Sequence, residues 1–191
     1  DLAADGVREA VAVPLLLSSA YHAKHDVPAL LAAGRQLRLD VRTAPALGPH
    51  PLLLRALERR LREAGVRPGD PSCAVVLASA GSTDPQANAA LTALARTWRR
   101  TGWAAVGTAF ASALSPEVGE AVGNLHRTGF TQVAVATYML APGRLPDRIA
   151  HQATAAGART VTLPLGDTPE AAALALLRYD EALPHRTTRT A

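Results

Sequence analysis

Short, nearly unbroken apolar runs alternate along this chain with longer segments in which Ala, Leu and Arg recur at helical spacing. Six of the runs read as strands: Val11 to Leu17, Leu39 to Ala44, Ala74 to Ala78, Ala104 to Phe110, Gln132 to Met139 and Thr160 to Pro164. Runs that stay apolar on both sides of the pleat belong to strands covered on both faces. The pattern therefore predicts repeated βα units around a parallel sheet, an α/β doubly wound fold. Helix starts fix the register between the strands. Asp84-Pro85, Ser115-Pro116-Glu117 and Thr168-Pro169-Glu170 each set a capping side chain ahead of a proline, and Pro49-His50-Pro51 gives a looser version. Each helix then begins just beyond the carboxyl end of a strand. The βα loops share one rim with the positive ends of the helix dipoles, which is where ligands bind in open α/β sheets.

The chain also repeats itself. Gly6-Val7-Arg8-Glu9-Ala10-Val11-Ala12-Val13 resembles Gly129-Phe130-Thr131-Gln132-Val133-Ala134-Val135-Ala136, 123 positions on. Leu47-Gly48-Pro49-His50-Pro51 resembles Leu165-Gly166-Asp167-Thr168-Pro169, 118 positions on, and a small deletion reconciles the two spacings. A unit of about 120 residues with four βα elements is a reasonable small domain. On this reading residues 1–66 are the trailing half of a first repeat and 67–71 are a linker, Arg67-Pro68-Gly69-Asp70-Pro71. Residues 72–184 are a complete second repeat, and 185–191 a flexible tail. The two strands of the first piece would leave a sheet edge that other strands, or a neighbouring domain, must cover.

Composition narrows the partners. Of 191 residues 48% are hydrophobic but only 4% aromatic, so the core is aliphatic. The basic balance of +4 comes from arginine, with Lys24 the single lysine; arginine's planar fork suits carboxylate or phosphate. Arg59, Arg60, Arg62, Arg99 and Arg100 lack interleaved aromatics, which argues against nucleic acid and leaves a polyanionic small molecule as the better partner. The lone Cys73 excludes an intramolecular disulfide, fits a reducing compartment and, opening a strand, reads as packing. No run is long enough for a membrane span, so the chain reads as soluble and cytoplasmic. No organic cofactor is indicated. The stretch Ala80-Gly81-Ser82-Thr83-Asp84 matches neither G-x-G-x-x-G nor the Walker pattern and reads as a turn plus a cap, and no G-x-S-x-G elbow is present.

The candidate chemistry follows the first strand, in Ser18-Ser19-Ala20-Tyr21-His22-Ala23-Lys24-His25-Asp26-Val27-Pro28. His22 and His25 stand three apart, a spacing that puts both on one side of a helical turn. No Cys or Glu follows at ligand spacing, so from spacing alone His22 reads as either loop filler or a ligand. Asp26 reads as a cap ahead of Pro28. Arg144, in Ala141-Pro142-Gly143-Arg144-Leu145-Pro146-Asp147, is either a solvated charge on a turn or an anion contact. His50, His126, His151 and His185 read as incidental.

Val13-Pro14-Leu15-Leu16-Leu17, Ala20 to Pro28 and Leu47-Gly48-Pro49 together resemble the sirohydrochlorin chelatases, the class II cobalt and iron chelatases of corrin and sirohaem synthesis. Ala80-Gly81-Ser82, Tyr138-Met139-Leu140-Ala141-Pro142-Gly143, Leu165-Gly166 and Arg178-Tyr179 look like the trailing repeat of the two-repeat members. The resemblance implies a chelatase-like fold of two homologous repeats, the first truncated, and insertion of a divalent metal into sirohydrochlorin. That metal is a substrate, Co²⁺ or Fe²⁺, with Ni²⁺ also within the reach of imidazole.

In that family two histidines hold the incoming metal. His22 matches one of them, as ligand and proton acceptor; the other, in a His-Gly-Ser loop, would lie upstream of Asp1. With one ligand of two, the resemblance implies weak activity for these 191 residues. In the second repeat Ala80 replaces the ligand of that loop and Arg144-Leu145 fills the loop matching His22, so the second repeat is implied to be a degenerate partner. Tyr21, His25 and Arg144 remain as candidates for contacting the macrocycle and its carboxylates. The implied partner is a sirohydrochlorin-like polycarboxylate tetrapyrrole, with neither nucleic acid nor membrane, and a homo-oligomer is compatible with it. The alternative is a non-catalytic tetrapyrrole or metal binding module on a degenerate chelatase fold.

Overall fold

The computed structural model describes residues 2, 4–18, 39–112 and 114–183. In chain order its elements are β1 (Glu9–Ala12), β2 (Asp40–Thr43), α1 (Pro51–Glu63), β3 (Cys73–Ser79), α2 (Pro85–Arg99), β4 (Ala105–Phe110), α3 (Val118–Arg127), β5 (Gln132–Thr137), α4 (Arg144–Ala155), β6 (Thr160–Val161) and α5 (Pro169–Ala182). By packing, Pro49–Ala171 form one compact unit, and Asp1–Gly48 with Ala172–Ala191 form the other. These units group residues by contact, whereas 1–66 and 72–184 group them by sequence repeat. The tail at 185–191 lies outside the described residues.

In the smaller unit β1 and β2 pair in parallel, Glu9 opposite Asp40 and Ala12 opposite Thr43. The strand expected at 11–17 thus begins two residues earlier and stops at Ala12. Pro14 has no N–H to give a ladder, and the Leu16 N–H turns back onto the Pro14 carbonyl at 2.8 Å. Residues 13–17 leave the sheet for that reason. They remain tethered, since the Gly48 N–H donates to the Leu16 carbonyl at 3.3 Å.

In the larger unit the strand order is β4-β3-β5-β6, all parallel. The chain steps out from β3 to β4, returns over β3 to β5 and continues to β6, so helices cover both faces. Val76, Ala78, Val133 and Val135 pack against Val118, Ala121 and Val122 of α3 and Ile149 and Ala153 of α4. The pleat turns Val75 and Leu77 the other way, and both are fully buried. On that side α1 and α2 are joined by the Trp98 Nε1–H donating to Glu58 Oε1 at 3.1 Å. Every residue of β3 is buried, as its apolar run predicts. Burying each such Val or Leu contributes about 1.5–3 kcal/mol, which makes β3 the keel of the unit.

The helix starts hold where a side chain reaches the open N–H groups, and three details differ. Asp84 caps α2, accepting from Gln86 N–H at 2.9 Å. His50, read as incidental, caps α1 through Nδ1, which accepts from Leu52 N–H at 3.2 Å. Ser115 caps nothing. The Pro116 carbonyl accepts from Phe110 N–H at 3.0 Å at the end of β4, which delays α3 until Val118, and Glu117 with Glu120 forms a capping box there. Thr168 sits at the start of α5 with its hydroxyl buried and without a hydrogen-bond partner. β6 ends at Val161 instead of Pro164, because Thr162 turns to side-chain bonding: its Oγ1 accepts from Thr137 N–H at 3.0 Å and its carbonyl from the Thr137 hydroxyl at 2.8 Å.

The register of the two sheets agrees. Val11 pairs with Arg42 and Ala12 with Thr43; moving the first strand 123 positions and the second 118 gives Ala134 with Thr160 and Val135 with Val161, the pairs that occur. Gly6 and Gly129, also 123 apart, both carry positive φ, at 82° and 102°.

Candidate functional site

The rim at the carboxyl ends of the strands is where this topology places a ligand, with the switch point between β3 and β5 in the larger unit. The exit of β3 carries Ala80-Gly81-Ser82-Thr83-Asp84. Gly81 has φ +81°, and a Cβ there would lie 2.5 Å from Ser112 Oγ and 3.0 Å from Leu114 Cδ1. A glycine is therefore required on both conformational and steric grounds. Three of the loop's N–H groups are bonded to nearby side chains. Gly81 donates to Ser79 Oγ (3.3 Å), Ser82 to Asn88 Oδ1 (3.0 Å) and Asp84 to Ser82 Oγ (3.1 Å), while the Asn88 amide returns to the Ser82 carbonyl at 2.7 Å. The turn-plus-cap reading holds, and those three N–H groups are already engaged in it.

The exit of β5 is different. Its backbone is laced to the exit of β6 by Leu165 N–H to the Met139 carbonyl and Gly166 N–H to the Leu140 carbonyl, both 2.8 Å. Tyr138 is buried there, and burial pushes its phenol well above the ordinary tyrosine range. α4 then begins after Gly143, at φ 152°, with no side-chain cap. Arg144 is exposed on its first turn and makes no hydrogen bond or ion pair among the described residues. An uncapped helix start beside a free guanidinium favours an anion. Leu145 follows and is 39% exposed.

Tyr21, His22 and His25 lie outside the described residues, so Arg144 is the candidate whose placement is described. The approach to His22 is described as far as Ser18. Among the described residues no group of three His, Cys, Asp or Glu stands together.

Several charges that composition left open are structural. Arg59 forks onto Glu170, its Nη2 2.7 Å and Nε 2.9 Å from the two carboxylate oxygens, and holds that carboxyl below the usual range. Arg60 donates to the Pro164 and Leu165 carbonyls and pairs with Asp167 at 3.0 Å. His126 faces the Phe130 carbonyl at 2.9 Å and the Gly157 carbonyl at 3.2 Å, joining the ends of α3 and α4. Cys73 is buried, and burial raises its thiol, as a packing cysteine requires. Among the described residues no helix is long and apolar enough to cross a membrane.

Residues 1–64 and 74–182 match the model of the CbiX family. The chain belongs to the CbiX family. The match runs through Tyr21, His22, His25 and Arg144, and it bears out the resemblance carried by residues 13–28. Among curated CbiX-like relatives, a protein named sirohydrochlorin cobaltochelatase from Priestia megaterium is 29% identical over 151 residues, 76% of this chain and 49% of the relative. A sirohydrochlorin ferrochelatase from the same organism is 31% identical over 150 residues, 77% of this chain and 56% of the relative. The chain thus spans about half the length of the curated relatives it matches. SirB from Bacillus subtilis, solved with Fe³⁺, superposes with a TM-score of 0.80 at 25% identity over 95% of this chain and 74% of that one. The α/β chelatase-like fold is established by that likeness.

At the repeat spacing of 123, Tyr21 and His22 correspond to Arg144 and Leu145. Leu163, which its sequence places within a strand, is 70% exposed at the exit of β6. The available signal was its position: an apolar residue just past the point where a strand's ladder ends.

Proposed function

We propose that this chain inserts a divalent metal, Co²⁺ or Fe²⁺, into a sirohydrochlorin-like polycarboxylate tetrapyrrole, with His22 as metal ligand and proton acceptor. The observation that carries the reading is the CbiX family match running unbroken through residues 1–64, which includes the whole stretch around His22. The relatives' names, one a cobaltochelatase and one a ferrochelatase acting on sirohydrochlorin, support the substrate and leave both metals open. Insertion exchanges two pyrrole N–H protons for the ion. A neutral imidazole holds the metal before transfer and takes up one of the two protons once the metal has moved on, the other passing to water. Tyr21, His25 and Arg144 contact the macrocycle and its carboxylates. In this reading residues 1–66 are the trailing half of one repeat and 72–184 a second repeat that has kept the fold without the ligands. No organic cofactor takes part, and the protein works in the cytoplasm.

The test is metallation followed by absorbance, with sirohydrochlorin, Co²⁺ or Fe²⁺ and the 191-residue chain. His22→Ala is expected to retain macrocycle binding and to lose metal insertion by about 100-fold or more. Equal rates in the two proteins sink the enzyme reading. They would favour the second one, a tetrapyrrole or metal binding module, which draws support from the Ala80 and Leu145 rim of the second repeat.

A further inference from the structure

Leu145 and Leu163 are the two large apolar side chains that stand exposed, at 39% and 70%, among the described residues of Pro49–Ala171. Elsewhere in this unit the large aliphatic and aromatic side chains are buried or partly covered. Both exceptions lie on the ligand rim. Leu145 is on the first turn after the β5 exit, and Leu163 is two residues past the end of β6. The paired bonds from Leu165 to Met139 and from Gly166 to Leu140 hold these two exits side by side. Next to Leu145 stands Arg144, unpaired among the described residues, at a helix start with no side-chain cap. Two exposed leucines on neighbouring exits, with a guanidinium beside one of them, fit a ligand with a flat apolar body and carboxylates at its edge.

We propose that Leu145 and Leu163 form an apolar seat for one face of the tetrapyrrole ring, and that Arg144 holds a carboxylate at the ring's edge. This rests on the function proposed above and goes beyond it. The position corresponding to His22 has changed from gripping a metal to carrying the macrocycle, which makes Leu145 a positioning residue. A histidine in the same place would compete for the metal, whereas leucine contributes area without coordinating.

The experiment is a titration of the 191-residue chain with metal-free sirohydrochlorin, followed by absorbance. Leu145→Asp is expected to weaken binding by about tenfold or more, and Leu145→Met to stay within about twofold of the parent. Arg144→Ala weakens it less, and its effect shrinks as salt is added. Because Leu145 is exposed, Leu145→Asp should melt with the parent by circular dichroism, so a loss of affinity is not a loss of fold. Parent-like binding by Leu145→Asp overturns the seat and leaves the proposed function standing. Parent-like binding in which Leu145→Asp instead dissolves a dimer, seen by sedimentation, also overturns it by assigning the patch to self-association. A parent chain that does not bind sirohydrochlorin at all removes the proposed function and the seat with it.

Discussion

In the small sheet Val11 lies opposite Arg42; in the large one, the corresponding Ala134 lies opposite Thr160. Each exit is tied by a glycine N–H, Gly48 to Leu16 in one and Gly166 to Leu140 in the other, the second tie falling one position further along than the spacing of 123 gives. The chemistry beyond these shared bonds diverges, toward Tyr21-His22 after β1 and Arg144-Leu145 after β5. The ladder depends on backbone N–H and C=O groups that every non-proline residue owns, so it persists through wide changes in side chains. A metal ligand depends on one imidazole and disappears with one substitution. The fold and the proposed function are therefore held by different atoms of the same segment.

Three measurements press on that comparison. The largest effect is expected at Gly81, where the exit of β3 turns tightly against Ser112 and Leu114. Gly81→Ala places a Cβ against Ser112 and Leu114 at φ +81° and should cost about 1–3 kcal/mol in urea unfolding. A cost below about 0.5 kcal/mol would mean that the loop is not held as scaffold. Next come His50 and Thr168, 118 apart and each preceding a proline that opens a helix. His50→Ala removes a working cap and should cost about 1 kcal/mol. Thr168→Val removes a buried hydroxyl without a partner and should change stability by less than about 0.5 kcal/mol, or raise it. Equal losses at the two sites would erase the distinction between them.

The smallest effect belongs to Glu170. Its carboxyl is held below the ordinary range by the hydrogen bonds from Arg59, so its contribution is present above the unfolded carboxylate value. That contribution fades as pH falls through the folded one. The gap in urea midpoint between the parent and Glu170→Gln should therefore be present at neutral pH and close below about pH 4. A gap that widens with acid contradicts the pairing.

Much of this architecture was readable in advance because it rests on local rules. Cys73 to Ser79 is apolar throughout because it is covered on both faces, and Asp84-Pro85 marks a helix because both residues act within one turn. The failures share a cause, which is a distant partner. Pro116 opens no helix because its carbonyl is claimed by Phe110 on the preceding strand. Thr168 forms no cap although its local sequence matches one. Pro14 was the exception that local reasoning should have caught, since a residue without an N–H ends a ladder wherever it falls. At the candidate site, the place after the first strand singles out His22 and His25, and family likeness adds Tyr21 and the proposed roles. Arg144 is legible from the loop alone, but that it has no partner among the described residues shows only once its surroundings are in place. Leu163 looked like one more strand residue until β6 proved to stop two positions short of it.

The matched registers also carry a lesson for engineering. From Val11 to its partner Arg42 the chain takes 31 steps; from Ala134 to Thr160 it takes 26, and the ladders still meet in step. Crossovers that differ by five residues thus close ladders of the same register. Grafting the 31-step version in place of the 26-step one is the natural first design for a chain with an imidazole on both rims.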